Sequence, residues 1–298
     1  METERVSIDQ VLYRLQVGDD VSLAIETRGP AGAPAVLFAH GFGQSRHAWV
    51  RAAESLAEHG CWRTITFDAR GHGDSSRVKD GRYELEQFVD DLRVVARSLE
   101  APPVLVGASM GGLLGLVAAG EMRPVPFRAL VLVDITPRWE AVGVERMLGF
   151  MRANPQGFAS LDEAAAEVAG YLPQRRRRKD RYELAQLLRR GGDGRLRWHW
   201  DPAMLDTVAR EGERHQQRLL NAARNIDVPT LLVSGGRSDI VSRDTVAEFL
   251  DAVPHATHVQ IPHATHTLAG DDNVSFAAAI EPFLESLSVG KSVARSVG

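Results

Sequence analysis

The chain has 298 residues, 44% hydrophobic and 25% charged, a balance that excludes a fibrous or disordered polypeptide and suits one large α/β domain with room for an insertion. A formal net charge of −4 supplies no basic field, which argues against nucleic acid as a partner, and no apolar run approaches the roughly 18 residues a membrane span needs. The opening METERVSIDQ lacks the basic, apolar and small-residue order of a secretory leader, and a single cysteine allows no internal disulfide, so the cytoplasm is the expected compartment.

Two strand-like runs, Val11 to Val17 and Val21 to Thr27, are joined by the turn formers Gly18, Asp19 and Asp20 and predict a hairpin. A continuous apolar run at Ala35–Ala39 and further strand-like runs at Arg63–Phe67, Val104–Val106, Ala129–Val133 and Thr230–Val233 then recur, as strands buried on both faces require. Cys61, beside Trp62 at the head of the second of these runs, is expected to pack into the core. Helical periodicity between the runs, as at Ala48–Glu58 and Glu84–Leu99, gives the β/α alternation of a mostly parallel sheet covered on both faces. From Thr136 to Gln217 the chain is helix-prone and strand-poor, punctuated by Pro137, Pro155, Pro173 and Pro202, as befits an inserted helical lid. The alternation resumes with a helix over Thr245–Ala252, a strand over Thr257–Ile261 and a helix over Asn273–Leu287. The expected organisation is a core of residues 1–135 and 218–290, a lid over 136–217 and a flexible tail over 291–298, with no internal repeat.

The sharpest local pattern is Gly107-Ala-Ser109-Met-Gly111, which a buried strand enters and a small-residue helix leaves. A strand that turns abruptly into a helix holds its central residue at positive φ, closes only over small neighbours, and presents the Ser109 hydroxyl at the sheet's edge with helix N–H groups behind it. His40-Gly41-Phe42-Gly43 follows the strand at 35–39, where a second donor to a developing oxyanion belongs; the N–H groups of Phe42 and Met110 are the expected pair. His40 itself is expected to pack or hydrogen-bond. Asp68 and Arg70, in the glycine-rich loop FDARGHGDS, are expected to form a pair that organises that loop.

The succession of HGFG, FDARGHGDS and GASMGG resembles the α/β-hydrolase superfamily over nearly the whole chain outside the lid. The likeness is to the branch that holds small-molecule esterases, cofactor-free haloperoxidase-like perhydrolases and epoxide hydrolases. The last of these, like haloalkane dehalogenases of this fold, use an aspartate nucleophile, whereas this chain has Ser109. The resemblance implies an eight-stranded α/β-hydrolase fold and a triad in the chain order serine, acid, histidine. Asp239, in the segment GGRSD beyond a buried strand, is the favoured acid, with Asp134 at the end of the preceding strand as the alternative. His266, before the final helix, is the favoured base; His263 in the same IPHATHT segment is its substitute, and His255 and His258 fall outside the pattern.

This set implies acyl transfer from a small-molecule substrate, with no metal and no organic cofactor. A carboxylic ester hydrolase leads; lactonase, carbon–carbon hydrolase and perhydrolase or haloperoxidase-like chemistry use the same machinery, and a non-catalytic small-molecule receptor is the reading from another class. In the lid, the basic run Arg175–Lys179 reads as a solvated helix face, and Trp198 and Trp200 either line a pocket over Ser109 or pack the lid. Assembly into a homo-oligomer is left open.

Overall fold

A computed structural model describes residues 10–58, 61–171, 181–211, 215–266 and 273–293. The basic run at 175–179 and residues 294–298 lie outside the described residues. Ten strands and ten helices occur among them: β1 (Val11–Gly18), β2 (Val21–Arg28), β3 (Ala35–Ala39), α1 (Val50–Glu58), β4 (Arg63–Phe67), α2 (Leu85–Arg97), β5 (Val104–Ala108), α3 (Met110–Glu121), β6 (Ala129–Val133), α4 (Ala141–Arg152), α5 (Leu161–Tyr171), α6 (Arg181–Ala185), β7 (Leu188–Arg190), β8 (Leu196–Trp198), α7 (Met204–Glu211), α8 (Gln216–Arg224), β9 (Thr230–Gly235), α9 (Arg243–Ala252), β10 (Thr257–Ile261) and α10 (Asn273–Val293). Eight strands form one sheet in the order β1-β2-β4-β3-β5-β6-β9-β10, with β1 and β2 antiparallel to their neighbours and the pairs from β4 to β10 parallel. This is the α/β-hydrolase fold that the motifs imply.

Period-two alternation sends the strand side chains into two cores. Val36, Phe38, Val104, Val106, Val131 and Val133 face α1 and α10, which contribute Leu56, Phe276, Ile280 and Leu284. Leu37, Leu105, Leu130 and Leu132 face the opposite side, where α2, α3 and α8 pack. Strand β3 is followed by β4 on one side and, after the chain returns, by β5 on the other. The loops after β3 and β5 therefore leave adjacent strands in opposite senses, and a crevice at the carboxyl edge of the sheet is the place such a switch creates.

The segment after β6 carries α4 to α7 and is not purely helical. Leu188–Arg190 and Leu196–Trp198 pair as an antiparallel hairpin, and Phe158 bridges to Leu196. Helix α8 begins at Gln216, inside the stretch read as lid, yet it packs on α3, where a Cβ on Gly120 would stand 2.6 Å from the carbonyl carbon of Ala222. Two further expectations are corrected. Cys61 is exposed because Trp62 takes the buried place at the head of β4. Helix α10 continues to Val293, past Leu287 and into the stretch read as tail. Among the described residues no helix is long and apolar enough to cross a membrane.

Candidate active site

Ser109 sits between β5 and α3 with φ 46°, the strained turn expected for it, and a Cβ on Gly107 would stand 2.5 Å from the carbonyl oxygen of Gly111, so a larger residue there could not close the turn. The Ser109 N–H donates to the Val133 carbonyl at 3.1 Å, which fixes the elbow to β6. His266, in the loop after β10, places Nε2 3.2 Å from Ser109 Oγ, while its Nδ1 lies 2.9 Å from Asp134 Oδ2. A carboxylate can only accept, so Nδ1 carries the proton and Nε2 is left to accept from the serine hydroxyl.

Asp134, at the carboxyl end of β6, is fully buried, with φ 49°. Oδ1 accepts from the Gly235 N–H at 2.7 Å, and Oδ2 accepts from the Ser238 hydroxyl at 2.6 Å as well as from His266. Asp239, the favoured acid from sequence, does not meet His266. Its carboxylate points outward and pairs with Arg146 of α4 at 2.7 Å, both side chains being 40% or more exposed. The physical reason is local: Ser238 and Gly235 turn the loop after β9 so that a hydroxyl and an N–H, rather than the Asp239 side chain, face inward. His263 is exposed, whereas His266 is half-buried. His255 bonds the Val228 carbonyl and His258 bonds Ser234, both away from Ser109.

The loop after β3 closes on itself beside the serine. Gln44 Oε1 accepts from the Gly41 N–H at 3.0 Å, the Gln44 N–H donates to the Gly41 carbonyl at 3.0 Å, and a Cβ on Gly41 would lie 3.2 Å from Ser109 Cβ. Among the described residues neither the Phe42 nor the Met110 N–H donates a hydrogen bond, so both are available to an oxygen bound there.

Three buried histidines that sequence reasoning did not assign as a group brace this loop. His40 Nδ1–H donates to the Gly41 carbonyl at 2.8 Å and its Nε2 accepts from the Ala69 N–H at 2.9 Å. His72 Nδ1–H donates to the Arg70 carbonyl at 3.0 Å and its Nε2 accepts from the Gly43 N–H at 3.1 Å. His199, directly after β8, accepts the Gly73 N–H on Nδ1 at 2.9 Å. Each accepts a backbone N–H and so must be neutral; burial lowers the pKa of all three, that of His72 to about 3, with the neighbouring His40 adding to the effect. Their signal in sequence was limited to position: each follows or sits within a loop at the end of a strand.

The loop after β4 is organised by charge, though not by the pair expected. Asp68 is bound by the Arg46 guanidinium and, at 2.7 Å, by the Arg46 N–H, while Arg70 forms a two-pronged pair with Asp91 of α2 at 2.6 Å. Arg46 also holds Asp74 at 2.8 Å, and Asp74 in turn holds Arg189 of β7 at 2.6 Å, so this network reaches the β7–β8 hairpin. The Tyr83 hydroxyl donates to Asp201 at 2.7 Å, and the Asp201 N–H donates to the Gly71 carbonyl at 2.8 Å. Trp198 and Trp200 are buried and stacked, with centroids 5.0 Å apart and planes 11° from parallel. Trp198 packs on Phe150 and Phe158, whereas Trp200 and Met151 come up to Gly43, where a Cβ would meet Trp200 Cζ3 at 3.5 Å.

Residues 34–272 match the family model described as alpha/beta hydrolase fold. The 3-hydroxybutyrate-oligomer hydrolase of Cupriavidus necator is 28% identical over 271 residues, covering 85% of this chain and 89% of that protein. An sn-1-specific diacylglycerol lipase of Mus musculus is 28% identical over 274 residues, covering 86% of this chain and 82% of its own. Among solved structures, that of E-2-(acetamidomethylene)succinate hydrolase superposes with a TM-score of 0.80 at 26% identity, over 93% of this chain and all of the other. The chain belongs to the alpha/beta hydrolase fold family.

Proposed function

We propose that the protein is a serine hydrolase that cleaves a carboxylic ester or closely related acyl substrate through an acyl-enzyme, with Ser109 as nucleophile, His266 as general base and Asp134 as the acid that orients it. The observation that carries this reading is the unbroken hydrogen-bond chain from Ser109 Oγ through both nitrogens of His266 to Asp134. Ser109 Oγ adds to the substrate carbonyl carbon as its proton passes to His266 Nε2. The carbonyl oxygen, now negative, is held by the N–H groups of Phe42 and Met110. Collapse of the adduct expels the leaving alkoxide, which takes the proton from His266. A water molecule then repeats the sequence on the acyl-enzyme and frees the acid and Ser109. Asp134 stays ionised throughout and stabilises the transient imidazolium.

The ester assignment draws support from two relatives, one named for 3-hydroxybutyrate oligomers and one for diacylglycerol. In this reading the segment between β6 and α8 serves as a cap, and Trp200 and Met151, which reach Gly43, form an apolar wall beside the oxyanion loop. The test is labelling with a fluorophosphonate probe, read by intact mass. Wild type is expected to gain one adduct, and Ser109→Ala and His266→Ala none. A folded wild type that stays unlabelled, or a Ser109→Ala variant that still labels, rejects the assignment.

A further inference from the structure

We propose that Ser238 is a positioning residue for this chemistry, its hydroxyl locking the Asp134 carboxylate in the rotamer that receives His266; the proposal rests on reading Ser109, His266 and Asp134 as the triad. The direction of the Ser238 hydrogen follows from its partners. Its Oγ lies 3.2 Å from the Ile240 N–H and 3.1 Å from the Val241 N–H, and both of those groups can only donate. They occupy the two lone pairs of the hydroxyl, so its single hydrogen goes to Asp134 Oδ2 at 2.6 Å. The hydroxyl is therefore a committed donor to the same oxygen that His266 uses.

The loop after β9 thus orients Asp134 from two points, the Gly235 N–H on Oδ1 and the Ser238 hydroxyl on Oδ2. It also carries the base, because the Gly236 N–H donates to the Ile261 carbonyl and the Arg237 N–H to the Ala264 carbonyl, both at 2.9 Å. Acid and base are consequently referenced to one segment, 235–241, although the acid comes from β6. Without the hydroxyl, the carboxylate keeps the Gly235 N–H on Oδ1 and His266 on Oδ2, so among these donors the loop after β9 holds it from one point and the other restraint is the base itself.

The test compares wild type with Ser238→Ala by the second-order rate of fluorophosphonate labelling, by melting temperature, and by the downfield proton resonance of His266 Nδ1–H. The expected result is a labelling rate lower on the order of tenfold, from loss of one hydrogen bond to a charged group. The resonance is expected to move further downfield, because Oδ2 no longer shares its electron density between two donors. A labelling rate within twofold of wild type overturns the proposal. So does a slow variant whose resonance is unmoved, which would reduce the hydroxyl to a brace for the loop. Should Ser238→Ala fail to fold, Ser238→Cys, similar in shape but a much weaker donor, carries the same expectations. Failure of the triad reading is separate: it appears as a wild type that resists the probe or a Ser109→Ala variant that accepts it.

Discussion

Replacing each of the two candidate acids by its amide separates them sharply. In Asp134→Asn one carboxylate oxygen becomes an NH2 group. If the remaining oxygen keeps the Gly235 N–H, the NH2 faces His266 Nδ1 and Ser238 Oγ, both of which are donors in the native site. His266 can answer only by moving its proton to Nε2, where it can no longer accept from Ser109. A wrong tautomer of this kind costs about 10⁴ in rate. Because Asp134 is fully buried, the mismatched donors also cost about 1–3 kcal/mol of stability, read as a lower urea midpoint. Asp239→Asn removes only an exposed pair with Arg146, whose worth is about 0–1 kcal/mol, and its labelling rate should stay within about twofold of wild type. The assay is the fluorophosphonate rate constant for both variants beside wild type. An Asp239→Asn loss equal to that of Asp134→Asn, or an Asp134→Asn variant within tenfold of wild type, would refute the assignment.

Two further outcomes follow from the loop after β3. The folded-state pKa of His72 is lowered to about 3 from 6.5, so the unfolded chain binds the extra proton first as pH falls. Its contribution to stability is whole above pH 6.5 and lost as pH falls from there toward 3. At about 1.4 kcal/mol per pH unit this amounts to roughly 5 kcal/mol at most. His40 and His199 act in the same direction, so urea midpoints should be level above neutrality and fall steeply on the acid side; a flat profile down to pH 4 would contradict the buried, neutral state. Gly43→Ala places a methyl 2.9 Å from Met151 Cε at a φ of +73°, which displaces the loop that carries Phe42. The labelling rate should fall by about 10² with a stability loss of about 1 kcal/mol, and an unaltered rate would remove Phe42 as an oxyanion donor.

The sheet was legible because most of its parallel strands are apolar runs, as at Ala35–Ala39 and Ala129–Val133, that end abruptly at polar or glycine-rich loops, and the order of HGFG, FDARGHGDS and GASMGG placed the chain in its family. The hairpin at 188–198 was not, since each strand is three residues long, carries arginine and is held by Phe158 and the tryptophans rather than by a pattern of its own. The two candidate acids both follow buried strands, and linear sequence offers no distinction between them. What separates them is the positive φ at Asp134 and a serine at 238 whose hydroxyl occupies the inward direction. The charge pairs misled for a similar reason: Asp68 and Arg70 are close in sequence, yet each finds a partner from another element that presents better geometry.

The link from His199 to Gly73 has a bearing on how this protein can be re-engineered. The segment proposed as a cap is not a module that can be exchanged at its ends. Removing it strips the Gly73 N–H of its acceptor and Asp74 of Arg189, and opens the ring of His72, which supports Gly43, to water. A transplanted cap chosen for a different substrate would therefore have to supply an imidazole or an equivalent acceptor at the place of His199. Without it, selectivity would be altered together with the strength of the oxyanion site, and the two effects would be indistinguishable in a turnover assay alone.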